Sequence, residues 1–475
     1  MFDNDFPSVH FFDQYFVDLY DSMWVGIHRY WHEGTRKNHF APQYFNYPQA
    51  TTLNQLEACL STFFLVYSNG SFPVDQVLDT FYKKQESNGA IRSLYDTTTG
   101  QAVPIKGNPE GLALPLFAYA EYNMYHKVGN KKRLKEVSPY LEKYFDWVTK
   151  TFRHKNGLYA TPLAVAQMEN SPRKGAHFLI DFNALMAVNA LYMSAIGDIL
   201  NDKDMAFRYK RLFFSLKTRI NAMMWDEKSG FYYDLDRSCK KVEVMSIASY
   251  WVLLAEIPND DRAEILIKKL EDPLYFGTEH PFPSLAACDK NFNEKGNGWH
   301  GSVFPFYTFM VIKGLEKYKK YEFARERAIR HIALIIDTLH FDESPLGGDL
   351  YEAYMPTQEG AAKWNGHAEF PRKKFIPYIG LSAITLMIEN ILGLYISLPK
   401  KTVEWIIPTM ETIGIENLSL KRNKITILSN KSGRGWEIRL ESDKLYYFTI
   451  HILDENKNKT LPIPSGKCSM LIDKL

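Results

Sequence analysis

Up to about residue 400, apolar residues recur at three- and four-residue spacing in segment after segment, a periodicity that predicts about twelve helices. They are expected to begin near Phe11, Ala50, Pro73, Asn108, Lys131, Ile180, Asp202, Glu243, Asp260, Phe304, Lys320 and Phe375. Within most consecutive pairs the first member is the more apolar: NALMAVNALYMSAIGDIL precedes KDMAFRYKRLFFSLKTRI, and FYTFMVIKGLEKY precedes KYEFARERAIRHIALIIDTL. A segment apolar nearly all round is buried, whereas an amphipathic one turns a polar side to water. The apolar members return at roughly 60- to 70-residue intervals, a helix-pair repeat without sequence identity between repeats. The pattern predicts an all-α (α/α)6 toroid barrel, with inner helices wrapped by outer ones. Turns within pairs are short (GNKKR, NDKD, PNDD, KYKKY), while connections between pairs are long and rich in Gly, Pro and aromatic residues. Long loops then gather at one end of the scaffold, where function usually sits.

After Pro399 the period changes to two, in VEWII, ENLSLKR, KITILS, WEIRLES and KLYYFTIHIL, punctuated by NKSGRG and DENKNK. Alternating runs separated by turn signals predict a small antiparallel β-domain. The expected division is a barrel domain over 1–399 and a sandwich-like β-domain over 400–475. The second holds no constellation of carboxylates or histidines, so packing against the barrel is its expected role, with sugar binding the alternative.

Composition narrows the classes. The 475 residues are 45% hydrophobic and 24% charged, the make-up of a soluble chain with a sizeable core. A net charge of +2, with no basic run interleaved with aromatics, excludes a nucleic-acid partner. Cys59, Cys239, Cys288 and Cys468 are scattered, without metal-ligand spacing, and read as free thiols; no metal or cofactor is expected. The N-terminal MFDNDFPSVHFF carries acids where a secretory signal needs a basic region, so the chain as given is expected to carry no export signal, being either cytoplasmic or exported with its signal removed. The apolar runs 182–200 and 376–398 are interrupted by Asn183, Asn189, Asp198, Glu389 and Asn390, and are expected to be core helices, with no membrane partner. Aromatic residues make up 15% of the chain, many of them in connecting segments; rings on loops line pockets and pack on sugar faces, though they also fill cores.

Three long loops carry candidate chemistry. QMENSPR (167–173) places Glu169 and Arg173 four residues apart, either as a turn that neutralises itself or as a positioned acid in a sugar-cleaving site. FDESPLGGDLYEAYMPTQEGAAKWNGHAEF holds Glu352 between Tyr351 and Tyr354, with Glu343, Asp349, Glu359 and Glu369 as competing carboxylates. FGTEHPFPSLAACDKNFNEKGNGWHGSVFPF sets Trp299 and His300 between Gly298 and Gly301, whose backbone freedom lets an indole approach a ligand or simply turns a packed corner.

Together these residues carry a resemblance. MENSPR resembles the motif around the catalytic acid of the glycosidase clan that includes trehalases (glycoside hydrolase family 37) and the family 63 α-glucosidases and mannosylglycerate hydrolases, where family 63 commonly reads G-M-D-N-S-P-R. Met168, Asn170, Ser171, Pro172 and Arg173 match, with Glu169 in the place of aspartate. IDFNALMAVNAL is similar to the helix that follows, MMWDEKSGFYYDLD to a W-D-x-x-x-G-x-Y-Y-D stretch, and GWHGSVFPF to a Y-W-R-G-P-V-W segment. YEAYMPTQEG resembles the E-x-Y-x-P-x-T-G-x-G stretch that carries the general base. The matches run in order over roughly residues 40 to 395. Departures are Glu169, His300 for arginine, and Leu53-Asn54 where the family has a W-D pair that contacts sugar; they imply a substrate different from that of well-known members, or an altered activity.

The resemblance implies an inverting mechanism on an α-linked di- or oligosaccharide, with Glu169 as general acid and Glu352 as general base. Inversion needs room for a water between the carboxyl groups, a separation of roughly 6.5–9.5 Å. Arg173 is assigned either to substrate hydroxyls or to fixing its loop, its guanidinium turned from Glu169. Trp225, Trp299 and Tyr351 are expected to stack on sugar or to fill the core. Asp181 is expected to bind a hydroxyl or to cap its helix; His300 to bind substrate or to act as a structural donor; Asn170 and Gln167 to line the site. Two other classes remain open: a sugar isomerase or epimerase, which needs a histidine pair not apparent among the 13 histidines, and a non-catalytic carbohydrate-binding relative.

Overall fold

The computed structural model describes residues 6–341, 348–408, 410–421, 423–433, 435–453 and 457–472. Short polar side chains start many of its helices. Asp13 caps α1 (Gln14–Ile27), Asn54 caps α2 (Gln55–Leu65), Asn130 caps α5 (Lys131–Phe152), Asp202 caps α7 (Lys203–Met223) and Asn259 caps α9 (Asp260–Glu271), each accepting a first-turn N–H. The remaining helices are α3 (Gln76–Lys83), α4 (Phe117–Val128), α6 (Ile180–Leu200), α8 (Trp251–Leu254), α10 (Pro305–Lys317), α11 (Tyr321–Phe341) and α12 (Ile376–Gly380). The last runs directly into a π-helix, Leu381–Ile391.

The difference between apolar and amphipathic members is realised as burial. In α2 every residue is buried, as is every residue from Ile376 to Ile391, whereas α7 buries only Met205, Ala206, Tyr209, Phe213, Leu216 and Ile220, one face at helical spacing. The buried elements touch in cyclic order: α2 meets α4, α4 meets α6, α6 meets α8, α8 meets α10, and α10 meets the π-helix, which returns to α2. Outside them α3 lies on α2, α5 on α4, α7 on α6 and α11 on α10, with α1 against the π-helix. Helix α6 is long and apolar enough to cross a bilayer by length and composition, but most of it is buried inside the protein. The fourth helix starts at Phe117, not near Asn108: Pro109 and Pro115 break the helical pattern, and the Asn108 side chain closes a turn on Leu112.

The C-terminal strands form two sheets. One pairs Ser8–His10, Ile413–Leu420, Asn423–Ser432, Gly435–Ser442 and Gly466–Ile472 in that order; the other pairs Leu394–Ser397, Thr402–Ile407, Tyr446–Ile452 and Lys457–Ile463. The expectation of a purely antiparallel domain is corrected here. Thr402–Ile407 and Tyr446–Ile452 run parallel, because the chain leaves for the other sheet between them and returns in the same sense. Pairing begins at Leu394 and recruits an N-terminal strand. Trp405, fully buried, donates its indole N–H to Leu392 O at 2.7 Å and fastens the sheet to the end of the helical part.

The loops before α6, α10 and α12 all lead into the N-termini of buried helices. They therefore emerge at the same end as the start of α2, which positions the site.

Candidate active site

The MENSPR loop is anchored from below by its arginine. Arg173 is fully buried, and its guanidinium is forked twice: Nη1 and Nη2 donate to Asp181 at 2.8 and 3.0 Å, while Nε and Nη2 donate to Asp234 at 2.7 and 2.8 Å. Burial alone would pull the guanidinium pKa down, but the two aspartates outweigh it and hold it well above the usual value. Asp234 also accepts Ile180 N–H, and Asp181 accepts Phe182 N–H, so the cluster starts α6 as well. With no exposed surface on Arg173 or Asp181, the substrate-binding alternative for both is corrected: their hydrogen-bonding groups are spent on each other, on Asp234 and on the Phe182 N–H, and Arg173 fixes the loop with its guanidinium committed away from Glu169.

Above this anchor Glu169 is solvent-exposed, and Trp299 Nε1 donates to its Oε2 at 3.1 Å. The indole lies flat on Phe304, centroids 3.8 Å apart, which fixes the direction of that N–H. Asn170 sews the two loops together: Nδ2 donates to Asn297 O at 2.8 Å and Oδ1 accepts Trp299 N–H at 2.8 Å. His300 faces backbone carbonyls with both ring nitrogens, Asn170 O at 2.7 Å and Asn291 O at 3.1 Å. It braces the loops, the structural-donor role expected of it as the alternative to binding substrate. Gly298 has φ +64°, and a Cβ there would lie 2.7 Å from Asn170 Oδ1 and 2.9 Å from Trp364. Only glycine allows this crossing.

Glu352 sits on the third loop, half-buried. Arg372 Nε and Nη2 fork its carboxylate at 2.9 and 2.8 Å, and the backbone N–H of Arg372 adds a bond of 3.2 Å. The guanidinium packs over Phe375, 3.8 Å from the ring centroid. Its Nη2 also reaches Glu57 at 2.9 Å. Burial pushes the Glu57 carboxyl up, against the opposing pull of Arg372. Of the competing carboxylates, Glu359 and Glu369 are exposed, Asp349 accepts the neighbouring Leu350 N–H, and Glu343 lies outside the described residues.

The N-terminus of α2 joins the two halves. Asn54 caps the helix and donates Nδ2 to Gln167 Oε1 at 3.1 Å, in the loop of Glu169; one turn on, Glu57 meets the arginine that holds Glu352. Gln167 takes the left-handed conformation, φ 53°, to face it. A run of rings spans the same gap: Trp299 on Phe304, Phe306 against Tyr378 at 4.7 Å, and Tyr378 against Phe375 at 4.8 Å beneath Arg372.

Two expected aromatic ligands sit elsewhere. Trp225 is buried between Tyr232 and Arg262, each 4.8 Å from it, so its stacking role is corrected to core packing. Tyr351 is buried, its N–H bonded to Tyr354 Oη. Sequence reading missed Glu57 and Arg372; the N-x-x-E spacing of Asn54 and Glu57 was the available signal, but it names a helix start rather than a site. It also missed a histidine pair, His280 Nε2 to His331 Nδ1 at 2.7 Å, with His331 Nε2 at 2.9 Å from Ser382 Oγ. Both rings are fully buried, and burial lowers the pKa of each, that of His331 to about 3. A pair sealed from solvent offers no substrate access. Among the described residues no group of three His, Cys, Asp or Glu side chains converges as a metal site. Two clefts of about 350 and 630 Å3 open at other places, lined by residues such as Ser68, Met124 and Lys421 and by Glu256, Asp260 and Lys320; neither includes Glu169 or Glu352.

Residues 74–370 match the family described as mannosylglycerate hydrolase MGH1-like glycoside hydrolases, and residues 393–475 match the trehalase C-terminal domain. An uncharacterized protein of Borreliella burgdorferi is 46% identical over 477 residues, covering 99% of both chains. Among solved structures, a GH63 mannosylglycerate hydrolase from Thermus thermophilus in complex with glucose aligns with a TM-score of 0.61 at 16% identity, over 78% of this chain and 99% of its own. A sialidase aligns with a TM-score of 0.70 at 16% identity over 99% of this chain, which spans 40% of that protein. At these identities the structural likeness speaks for the fold.

Proposed function

Because the chain belongs to the mannosylglycerate hydrolase MGH1-like glycoside hydrolase family, we propose that it hydrolyses an α-linked di- or oligosaccharide with inversion, Glu169 acting as general acid and Glu352 as general base. That it is a glycoside hydrolase follows from the family; the substrate and the residue roles are our assignment. We read the cyclic order of buried helices as an (α/α)6 barrel, and divide the chain into a catalytic domain over 1–399 and a β-domain over 400–475.

The observation that carries the assignment is the start of α2, which is bonded on one side to the loop of Glu169 through Asn54 and Gln167, and on the other to Glu352 through Glu57 and Arg372. Two carboxylates tied to one helix end are suited to face a common substrate. Among the described residues Glu169 accepts one hydrogen bond, on Oε2, and in this role Oε1 holds the proton for the leaving oxygen. Glu352 is oriented by a two-pronged guanidinium contact, the geometry that fixes a carboxylate most firmly, and in this role takes the proton of the attacking water. Asn170, Gln167 and Trp299 border the site. Leu53 and Asn54 replace a sugar-contacting pair, with Asn54 Oδ1 engaged as a helix cap; this supports a substrate different from that of the better-known members.

A panel of 4-nitrophenyl α-glycosides and α-linked disaccharides, with the first-formed anomer followed by NMR, tests the proposal. Inverted product is expected, and Glu169→Gln and Glu352→Gln should each lower kcat by about 10²- to 10⁴-fold. Retained product, or full turnover in either variant, would refute it. The isomerase alternative gains nothing from the sealed His280–His331 pair.

A further inference from the structure

We infer that Glu57 is a positioning residue for the base: through Arg372 it holds the Glu352 carboxylate at the angle from which water is activated. The inference rests on the assignment of Glu352 above.

Asn54 and Glu57 stand at the cap and third position of α2. At that spacing a glutamate ordinarily folds back toward the cap residue's own N–H. Here the Glu57 carboxylate turns instead to Arg372 Nη2, at 2.9 Å. Nη2 has two protons, and the second goes to Glu352 Oε1 at 2.8 Å while Nε takes Oε2 at 2.9 Å. Phe375 covers one face of the guanidinium, and Tyr47 lies 5.9 Å from it. All three degrees of freedom that would let the fork swing are thus taken up: its plane by the ring, its inner edge by Glu352, and its outer proton by Glu57.

The burial order supports a directed role. The Glu57 and Glu352 side chains keep only 10% and 13% exposure, while Arg372 keeps 32%. The deepest member of the triad is therefore Glu57, from the helix, and it anchors an arginine supplied by a loop. Without Glu57, the shared Nη2 would be held on its carboxylate side by Glu352 alone. Arg372 comes 20 residues after Glu352 in the chain, whereas Glu57 lies 315 residues from it, so this contact also fixes the loop of the base onto the barrel.

A double-mutant cycle on Glu57→Gln and Arg372→Lys, with Glu352→Gln as reference, tests the role on the 4-nitrophenyl α-glycoside turned over fastest by the unaltered enzyme. Glu57→Gln is expected to lower kcat by about tenfold to a hundredfold, the scale of a small misplacement of a reacting group, with KM changed less than about threefold. Glu57→Asp, which keeps the charge, should recover part of that loss. Combined with Arg372→Lys, Glu57→Gln should add almost nothing, since both act on one fork. Unchanged kcat in Glu57→Gln, an effect confined to KM, or additive losses in the double variant would overturn the inference. Should Glu57→Gln fail to fold, the Glu57→Asp and Arg372→Lys pair carries the same cycle. Full turnover in Glu352→Gln would instead refute the assignment of the base, a result distinguishable from inactive Glu352→Gln beside fully active Glu57→Gln.

Discussion

At the scale of single residues, the site depends on a glycine as much as on its acids. The crossing of the two loops at Gly298 puts Asn170 and Trp364 where a β-carbon would stand, at a φ of +64° that L side chains rarely adopt. Gly298→Ala should cost about 1–3 kcal/mol in stability from backbone strain, and it should displace Trp299 from Glu169, so turnover should fall further than the stability loss explains. Urea unfolding beside kcat measures both, and unaffected turnover would show that the indole bond to Glu169 is dispensable. The sequence displayed the glycines around Trp299 and His300 and the run of polar residues at MENSPR, because their unusual types are local. It did not display that Arg173 turns inward onto Asp181 and Asp234: Asp234 closes the W-D-x-x-x-G-x-Y-Y-D stretch, but it lies 61 residues from Arg173 and nothing along the chain links the two. Glu57 and Arg372 were hidden for the same reason at greater distance.

Helices were legible because their signals are carried by neighbours along the chain. Of the twelve expected starts, those near Lys131, Ile180 and Asp260 coincide with observed helices and those near Asp202, Phe304, Lys320 and Phe375 fall within one residue. The fourth was displaced by its prolines, and the continuation of the twelfth as a π-helix has no counterpart in apolar periodicity, which reports burial and not hydrogen-bond spacing. One element joins local code to the site. The Asn54 side chain accepts Leu56 N–H at 2.9 Å and Glu57 N–H at 3.4 Å, and its amide holds Gln167. Asn54→Ala is therefore expected to lose about 1 kcal/mol of stability from the cap and, by loosening the loop of Glu169, part of the catalytic rate. Asn54→Asp should keep the cap while removing the donor to Gln167, so its stability should stay near that of the unaltered protein as its rate falls. Equal rates in both proteins would detach the cap from the site.

For the whole molecule, closure of the helical part is secured far from the candidate site by one carboxylate. Glu389, on the π-helix, accepts Lys127 Nζ of α4 at 2.8 Å and Lys313 Nζ of α10 at 2.5 Å, and also the hydroxyl of Tyr67, just beyond α2. Four members of the ring converge on it, an arrangement that no reading of periodicity reveals because each partner comes from a different segment. Burial pushes the Glu389 carboxyl up, but the two ammonium groups prevail and bring its pKa to about 2, from an ordinary value of 4.5. A carboxyl whose folded pKa is depressed contributes stability that is complete above the unfolded value and is lost as pH falls through the folded one. This contribution is thus present at neutral pH and drains away between pH 4.5 and about 2. Glu389→Gln leaves Lys127 buried without its carboxylate, while Lys313 keeps Glu316 at 2.7 Å. The expected cost at neutral pH is about 3–5 kcal/mol, that of breaking a buried ion pair by removing one partner. Because the substituted side chain does not titrate, the difference between the two proteins should shrink as acid protonates Glu389 in the unaltered one. Urea midpoints at neutral pH and across the acid window measure this convergence; two parallel pH–stability curves would mean that the lysines do not hold the carboxylate charged, and that the ring is closed by apolar packing alone.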